Sequence, residues 1–192
     1  MKPDRLATFS DGVIAIVITI MVLELEVPEG TTFGALRTTA PGLAAYALSF
    51  LYLAVHWSNH HHLIAATDRI DGTVLWANNA YLFGLSLVPF ATAWAEHTGF
   101  APIPMAVYGA VLFAAALLHR LLEWRIELCA QPGAPVRRAL GHDVKGWVSV
   151  AAYLVGIAFA PFSPLLAGAV YLGIAVVWAV PDRRLAREIR KG

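Results

Sequence analysis

The sequence predicts an all-α integral membrane protein with six transmembrane helices, and three observations support this. The chain of 192 residues is 58% hydrophobic and 14% charged, whereas a soluble domain carries about 25% charged residues. Six segments are apolar over roughly the 20 residues that a spanning helix needs. The basic residues collect at one end of each segment, as in a multi-pass chain. At this length, residues 1–192 are expected to form a single domain.

The first predicted span, residues 6–27, has a polar beginning and an apolar body. Ser10 and Asp11 lie in its first turns, Thr19 interrupts the apolar run that follows, and Glu24 and Glu26 stand at its far end. Charged groups at membrane depth are costly and usually functional. A cleaved signal peptide is not expected, because a carboxylate lies inside the segment and no small-residue cleavage site follows.

The other five spans are separated by helix breakers. Residues 68–72 divide the second span from the third, and Pro161–Pro164 form a tight turn between the last two. Proline and glycine in such clusters end helices. The predicted spans are 37–62, 74–95, 102–124, 144–162 and 164–181.

The basic residues predict the orientation of the chain. Of the 14 Lys and Arg residues, all except Arg37 fall on the side that holds both termini and the loops at 63–73 and 125–143. The positive-inside rule therefore predicts cytoplasmic termini. The basic tail at 182–192 is expected either to lie on the anionic inner leaflet or to act as a plain stop-transfer anchor.

The first helix separates polar from apolar side chains. At about 100° per residue, Ser10 and Asp11 point to the back of the helix. We therefore expect them to meet partners on other helices, because unpaired polar groups are costly in a bilayer. The opposite face is a narrow line of side chains, which we call the apolar stripe: Ile16, Thr19, Ile20 and Leu23.

The apolar stripe could line a pore. If several subunits placed it around a symmetry axis, Ile16, Ile20 and Leu23 would form stacked rings that gate by dewetting. Thr19 would supply the side-chain hydroxyl in this constriction. At the outer mouth, Glu24 and Glu26 would raise the local cation concentration. The alternative is that the stripe faces lipid or packs internally, with Thr19 bonded to the Ala15 carbonyl.

Polar residues on the second and third spans supply possible partners for the first helix. We expect His60 or His56 to pair with the Asp11 carboxylate, because all three lie at the same end of the bundle. Asn78 begins the third span at that level. Together with Ser10 these groups would tie three helices, the usual role of polar residues between membrane helices.

Catalysis and metal binding are not expected. The chain lacks a P-loop, a Gly-rich dinucleotide turn, a Ser/His/Asp arrangement and a zinc-protease motif. His60, His61 and His62 are consecutive, so on a helix they point about 100° apart and do not converge on one ion. His119, Glu123 and Glu127 share a face that we interpret as a solvated or interfacial helix end. Neither an enzyme nor a bound cofactor is predicted.

The first-helix motif resembles the transmembrane-protein-175 family of potassium channels. The residues that carry the resemblance are Arg5, the run Phe9-Ser10-Asp11-Gly12, and the stripe that follows. Further matching positions are Trp57 and His60 in the second span, and Asn78 ahead of Leu87–Phe90 in the third. The resemblance extends over six spans, almost the whole chain.

The resemblance implies a potassium-selective channel without the usual pore loop. Single-repeat prokaryotic members are homotetramers lined by their first helices, and this chain matches that kind. Its partners would be copies of itself and the lipid bilayer of the inner (plasma) membrane, not nucleic acid, and K⁺ would be the permeant ion. By correspondence, Ile16 is the apolar constriction, Thr19 the hydroxyl layer, and Ile20 and Leu23 further apolar layers. The motif network that holds the pore helix corresponds to Arg5, Phe9, Ser10, Asp11, Trp57, His60 and Asn78.

Two other functions remain open on the sequence. One is a small proton-coupled secondary transporter that uses Asp11 and His60 as a proton relay. The other is a membrane scaffold that conducts nothing. A channel is distinguished from a carrier by unitary currents, whereas a carrier saturates at low turnover.

Overall fold

The chain folds into a helical bundle. The computed structural model describes residues 3–132, 134, 136–137 and 144–179. The secondary-structure elements in this part of the chain are helices. In chain order they are α1 (Pro3–Leu23), α2 (Phe33–Thr38), α3 (Ala40–Ala65), α4 (Gly72–Ser86), α5 (Val88–His97), α6 (Pro102–Cys129), α7 (Val144–Phe159) and α8 (Pro164–Ala179).

Four helical segments have the length and composition of membrane spans. They are α1, α3, the continuous stretch Gly72–His97 formed by α4 and α5, and α6. The last two helices, α7 and α8, are also apolar but have only 16 residues each. The predicted all-α membrane fold is confirmed, while the number of six crossings stays a prediction. The basic tail at 182–192 lies outside the described residues.

The first helix ends earlier than predicted. It stops at Leu23 rather than at residue 27, so that Glu24 lies in a turn and Glu26 in the following coil. The partial negative charge at a helix C-terminus disfavours carboxylates in the last turn, and Pro28 and Gly30 follow closely. Gly30 adopts a φ of 114°, a conformation that favours glycine.

The second and third spans differ from the prediction because of two prolines. Pro41 lies in the first turn of α3, so this helix begins at Ala40 rather than at residue 37. Its end lies at Ala65, three residues beyond the predicted end at residue 62. Pro89 lies in the first turn of α5 and breaks the third span after Ser86. Proline lacks the backbone N–H that a helix interior needs, and it is tolerated in the first turn.

Asp71 fixes the start of α4. Its carboxylate accepts hydrogen bonds from the N–H groups of Val74 and Thr73, both at 2.9 Å, and from the Thr73 hydroxyl at 2.8 Å. The bond from Val74, followed by those from Thr73, holds the pKa of Asp71 below its ordinary value. This N-cap fixes the residue at which α4 begins.

The helices pack through small residues and shared hydroxyl groups. The buried ring of Tyr171 on α8 fits directly against Gly109 on α6 and Gly156 on α7. Elsewhere in the core, the Ser49 hydroxyl lies 2.8 Å from that of Thr92 and 2.9 Å from that of Tyr108. These contacts join α3, α5 and α6 where water is excluded, so the bundle that supports α1 is held at several levels.

Candidate functional site

One face of α1 packs against its own chain and the other does not. The buried face consists of Leu6, Ser10, Ile14, Val17 and Met21. The apolar stripe lies on the other side: Ile16 is 59% exposed, Ile20 42% and Leu23 80%. A contiguous apolar surface that the subunit leaves uncovered marks a contact with lipid or with another chain.

Phe9 and Arg5 lie apart from the other residues of the motif network that the family resemblance implies. Phe9 is 56% exposed and stands two helical turns from Ile16, on the same face. Arg5 is also exposed. Within the described part of the chain, the hydrogen-bonded network below does not include either side chain. Phe9 therefore lies on the same exposed face of α1 as the apolar stripe.

The Thr19 hydroxyl is oriented by its own helix. Its Oγ1 donates to the Ile16 carbonyl at 3.0 Å, one residue later than the Ala15 carbonyl considered from the sequence. Threonine commonly bonds to a carbonyl of the preceding turn in this way. Because the hydroxyl donates to the helix, its oxygen lone pairs remain available on the exposed face to a cation.

Three buried polar side chains bring α1, α3 and α4 together. The Asn78 amide donates to the Ser10 hydroxyl at 3.1 Å, and His60 Nε2 lies 2.7 Å from the Asn78 carbonyl oxygen. Since that oxygen only accepts, His60 donates through Nε2. Ser10, His60 and Asn78 are each 0% exposed. The grouping expected from the sequence contains these three residues and also Asp11, and we call the three the anchor network.

Asp11 has a different partner from the predicted one. Its carboxylate accepts a hydrogen bond of 2.8 Å from the indole Nε1 of Trp57 on α3. His60 bonds instead to Asn78, and His56 Nδ1 lies 3.1 Å from the Tyr81 hydroxyl. The expected pairing of Asp11 with a histidine is therefore wrong. The indole N–H only donates and the carboxylate only accepts, so the two groups are matched.

The segment that follows α1 meets the end of α5 through titratable side chains. His97 Nε2 lies 4.0 Å from a Glu26 oxygen and 3.4 Å from a Glu96 oxygen. Glu24 is exposed in the turn that ends α1. Glu26 therefore reaches toward the neighbouring helix, whereas Glu24 stays beside the end of the stripe.

The structure contains a polar cluster in the subunit core that the sequence did not predict. His119 Nδ1 lies 3.5 Å from a Glu123 oxygen, and the two side chains are only 12% and 14% exposed. For these two residues the expected solvated face is therefore wrong, whereas an interfacial helix end stays a prediction. The four-residue spacings of His56 with His60 and of His119 with Glu123 place each pair on one face of its helix. They do not indicate which helices pack against each other. No group of three or more metal-binding side chains is found among the described residues.

The comparisons with known proteins point to one family. The sequence model of the family described as endosomal/lysosomal potassium channel TMEM175 matches residues 5–89, a range that contains the apolar stripe and the anchor network. A Chryseobacterium protein named as a potassium channel is 40% identical over 191 residues, which is 100% of both chains. The human relative, named as an endosomal/lysosomal proton channel, is 25% identical over 84% of this chain and 36% of its own length.

A solved structure has the same fold. It is the crystal structure of a lysosomal potassium-selective channel TMEM175 homologue from Chamaesiphon minutus. The TM-score is 0.82 at 27% sequence identity, and the match covers 93% of this chain and 96% of the other.

Proposed function

The chain belongs to the TMEM175 family of ion channels, and from this we propose that it forms a homotetrameric, potassium-selective channel whose pore is lined by α1. The observation that carries the proposal is the division of α1 into two faces. The back is held by buried polar groups, while the apolar stripe is left uncovered by the subunit. A helix fixed on one side and free on the other is suited to line an axis shared by several subunits.

The content of the stripe favours a pore over a lipid-facing surface. Thr19 and the carboxylates at the end of the stripe would gain no stability from contact with lipid hydrocarbon, where polar groups are costly. In a tetramer, Ile16 and Leu23 would form the narrowest apolar rings, with Ile20 between them, and such rings gate by dewetting. Thr19 oxygens would replace part of the water shell of K⁺. Glu24 and Glu26 would concentrate cations at the mouth.

We propose that all six apolar segments cross the inner (plasma) membrane with both termini in the cytoplasm. A helix of 16 residues such as α7 or α8 spans about 24 Å, less than a hydrocarbon core of about 30 Å. Local thinning of the bilayer accommodates helices of this length. The side that carries nearly all basic residues then faces the cytoplasm.

Protons are the second candidate for the permeant ion, because the human relative is named as a proton channel. A proton relay that passes directly between Asp11 and His60, the basis of the transporter alternative, receives less support. Asp11 is bonded to Trp57, whereas His60 is bonded to Asn78. The relatives are also named as channels rather than carriers.

The proposal is tested with purified protein in liposomes. We expect passive flux of K⁺ that exceeds that of Na⁺, resolved as unitary currents in a planar bilayer. A pH-sensitive dye in the same vesicles measures proton flux when K⁺ is replaced by an impermeant cation. Absence of K⁺ flux, or saturating transport that requires a proton gradient, would contradict the proposal.

A further inference from the structure

A second group of titratable side chains gathers in the subunit core, away from the apolar stripe. His56 on α3 and Tyr81 on α4 share a contact of 3.1 Å. The His119 ring on α6 lies edge-on to both, with centroid distances of 5.8 Å to His56 and 5.2 Å to Tyr81. Glu123 faces the other side of His119. We call these four residues the imidazole cluster.

The imidazole cluster borders a small cavity whose lining is mainly apolar but includes several polar side chains. The cavity has a volume of about 50 Å³ and is lined by His56, His119 and Glu123 together with Asn59, Ser149 and Tyr153. A water molecule needs about 10–15 Å³ of such volume and two to four polar partners, and the polar side chains at one side of this cavity supply them. The space therefore accommodates a few water molecules, which can carry protons to the cluster.

His119 presents an unused acceptor inside the core. Its Nδ1 faces the Glu123 carboxylate, and because a carboxylate only accepts, the neutral ring carries its hydrogen on Nδ1. The other nitrogen, Nε2, is buried and has no hydrogen-bond partner among the described residues. A buried acceptor without a protein partner is usually satisfied by water or an ion, or it takes up a proton.

The cluster is joined to α1 through Tyr81. The Tyr81 hydroxyl contacts His56, and the Tyr81 ring stacks on that of His60 at 5.6 Å with an interplanar angle of 13°. His60 bonds to Asn78, which bonds to Ser10 on α1. A change at the cluster thus reaches the helix that we propose to line the pore through one ring contact and two hydrogen bonds.

We propose that this cavity is a proton-binding site, that Nε2 of His119 accepts the proton from cavity water, and that its occupancy weakens the anchoring of α1. The proposal rests on the channel function proposed above. On binding, one N–H bond forms at Nε2, the donor water or hydronium loses that proton, and the ring becomes an imidazolium.

Charged and titratable groups on four helices surround the imidazolium. The Glu123 carboxylate favours the positive charge, while Arg120 on α6 opposes it. His56 and His60 approach from α3, Tyr81 from α4 and Tyr153 from α7. Because like charges repel at these distances, only one imidazole of the group is charged at a time. The new charge lies beside the His56–Tyr81 contact, so this contact changes first and the support of His60 is lost with it.

Flux at two pH values tests the coupling. The protein is reconstituted with equal pH on both sides, at about 7.5 and about 4.5. The lower value lies well below the ordinary imidazole pKa of about 6.5, because burial in the core disfavours the charged ring. We expect wild-type K⁺ flux to fall at least about threefold at the lower pH, a shift that a modest change in population produces. His119→Gln replaces the imidazole with a side chain that does not titrate, so its flux at the two pH values is expected to agree within a factor of about 1.5. The matched control His62→Gln, on α3 outside the cluster, is expected to respond like the wild type.

Nitrogen NMR of histidine-labelled protein tests the proton site without relying on flux. We expect the His119 signals to change from one neutral tautomer to imidazolium between these pH values, and the midpoint to move to lower pH in Glu123→Gln. This second variant carries the test if His119→Gln does not fold. A His119 ring that does not titrate, or a His119→Gln variant with the wild-type pH response, would overturn the proposal. Absence of K⁺ flux at every pH refutes the proposed function, while the NMR titration still decides the proton site.

Discussion

Single residues of α1 show an inverted distribution of polarity. Ser10 is completely buried, whereas Leu23 is 80% exposed. In water such a helix would be unstable, because apolar surface is left uncovered. In a bilayer both positions are favourable, since Ser10 finds a hydrogen-bond partner and Leu23 contacts lipid or another subunit.

Ile16 tests the apolar gate. We expect Ile16→Asn to increase K⁺ flux severalfold and to reduce the preference over Na⁺, because a polar ring removes the dewetting barrier. Flux of both ions into liposomes measures the effect. Val22→Asn is the matched control: Val22 is also exposed on α1 but points about 120° away from Ile16. Equal effects of the two variants would contradict the assignment of the stripe to the pore.

Asn78 tests the anchor network. Asn78→Leu leaves the Ser10 hydroxyl and His60 Nε2 buried without their partner, and each unpaired group costs about 1–3 kcal/mol. We expect a lower thermal midpoint of the detergent-solubilised protein and a loss of flux. The neighbouring Asn79 is exposed, so Asn79→Leu should leave both unchanged. A normal midpoint for Asn78→Leu would show that the network does not stabilise the bundle.

Among the elements, α6 is the helix on which the second half of the bundle assembles. It packs against α4, α5, α7 and α8. Where it meets α7 and α8, Gly109 leaves space for the Tyr171 ring, whose hydroxyl donates to the Met105 carbonyl at 3.4 Å. Close approach through glycine replaces the hydrophobic driving force that helices lack inside lipid.

Gly109 tests this packing. A side chain at position 109 would overlap Tyr171, so Gly109→Val is expected to destabilise the protein by about 1–3 kcal/mol, the usual cost of overpacking. The thermal midpoint in detergent measures it. Gly173 on α8 has open space around its Cα, and Gly173→Val serves as the control. If the two variants are equally stable, Tyr171 does not occupy the position described.

For the whole molecule, the uncovered stripe favours self-association, and we propose four copies because the family resemblance implies a homotetramer. The chain has a mass of 20.7 kDa, so native mass spectrometry in detergent should give about four times this value, because cyclic symmetry closes identical contacts around one axis. A monomeric mass would contradict the proposed pore.

Cysteine cross-linking locates the axis. Cys129 is the only cysteine, so a Cys129→Ser background allows single sites to be introduced. We expect Leu23→Cys to form disulfide-linked dimers on mild oxidation, because four copies would approach one another at the axis. Phe162→Cys, exposed in the turn between α7 and α8, should remain monomeric in denaturing gels. Cross-linking at Phe162 but not at Leu23 would place the axis elsewhere.

The sequence by itself determined the all-α membrane class and the two faces of α1. Composition decides the solvent in which a chain folds, and the helical period decides which residues share a face. Ser10 and Asn78 could be grouped in advance because unpaired polar groups at membrane depth must find one another. The start of α3 and the division between α4 and α5 depend on Pro41 and Pro89, which lie in first turns because proline lacks a backbone N–H.

Only the tertiary structure decided which side chains meet across helices. It pairs Asp11 with Trp57 rather than with a histidine, leaves Phe9 on the exposed stripe, and buries His119 with Glu123. The physical reason is that helical periodicity specifies the direction of a side chain about its own axis. The neighbour in that direction depends on how the helices cross, tilt and slide, which is set by packing over the whole bundle.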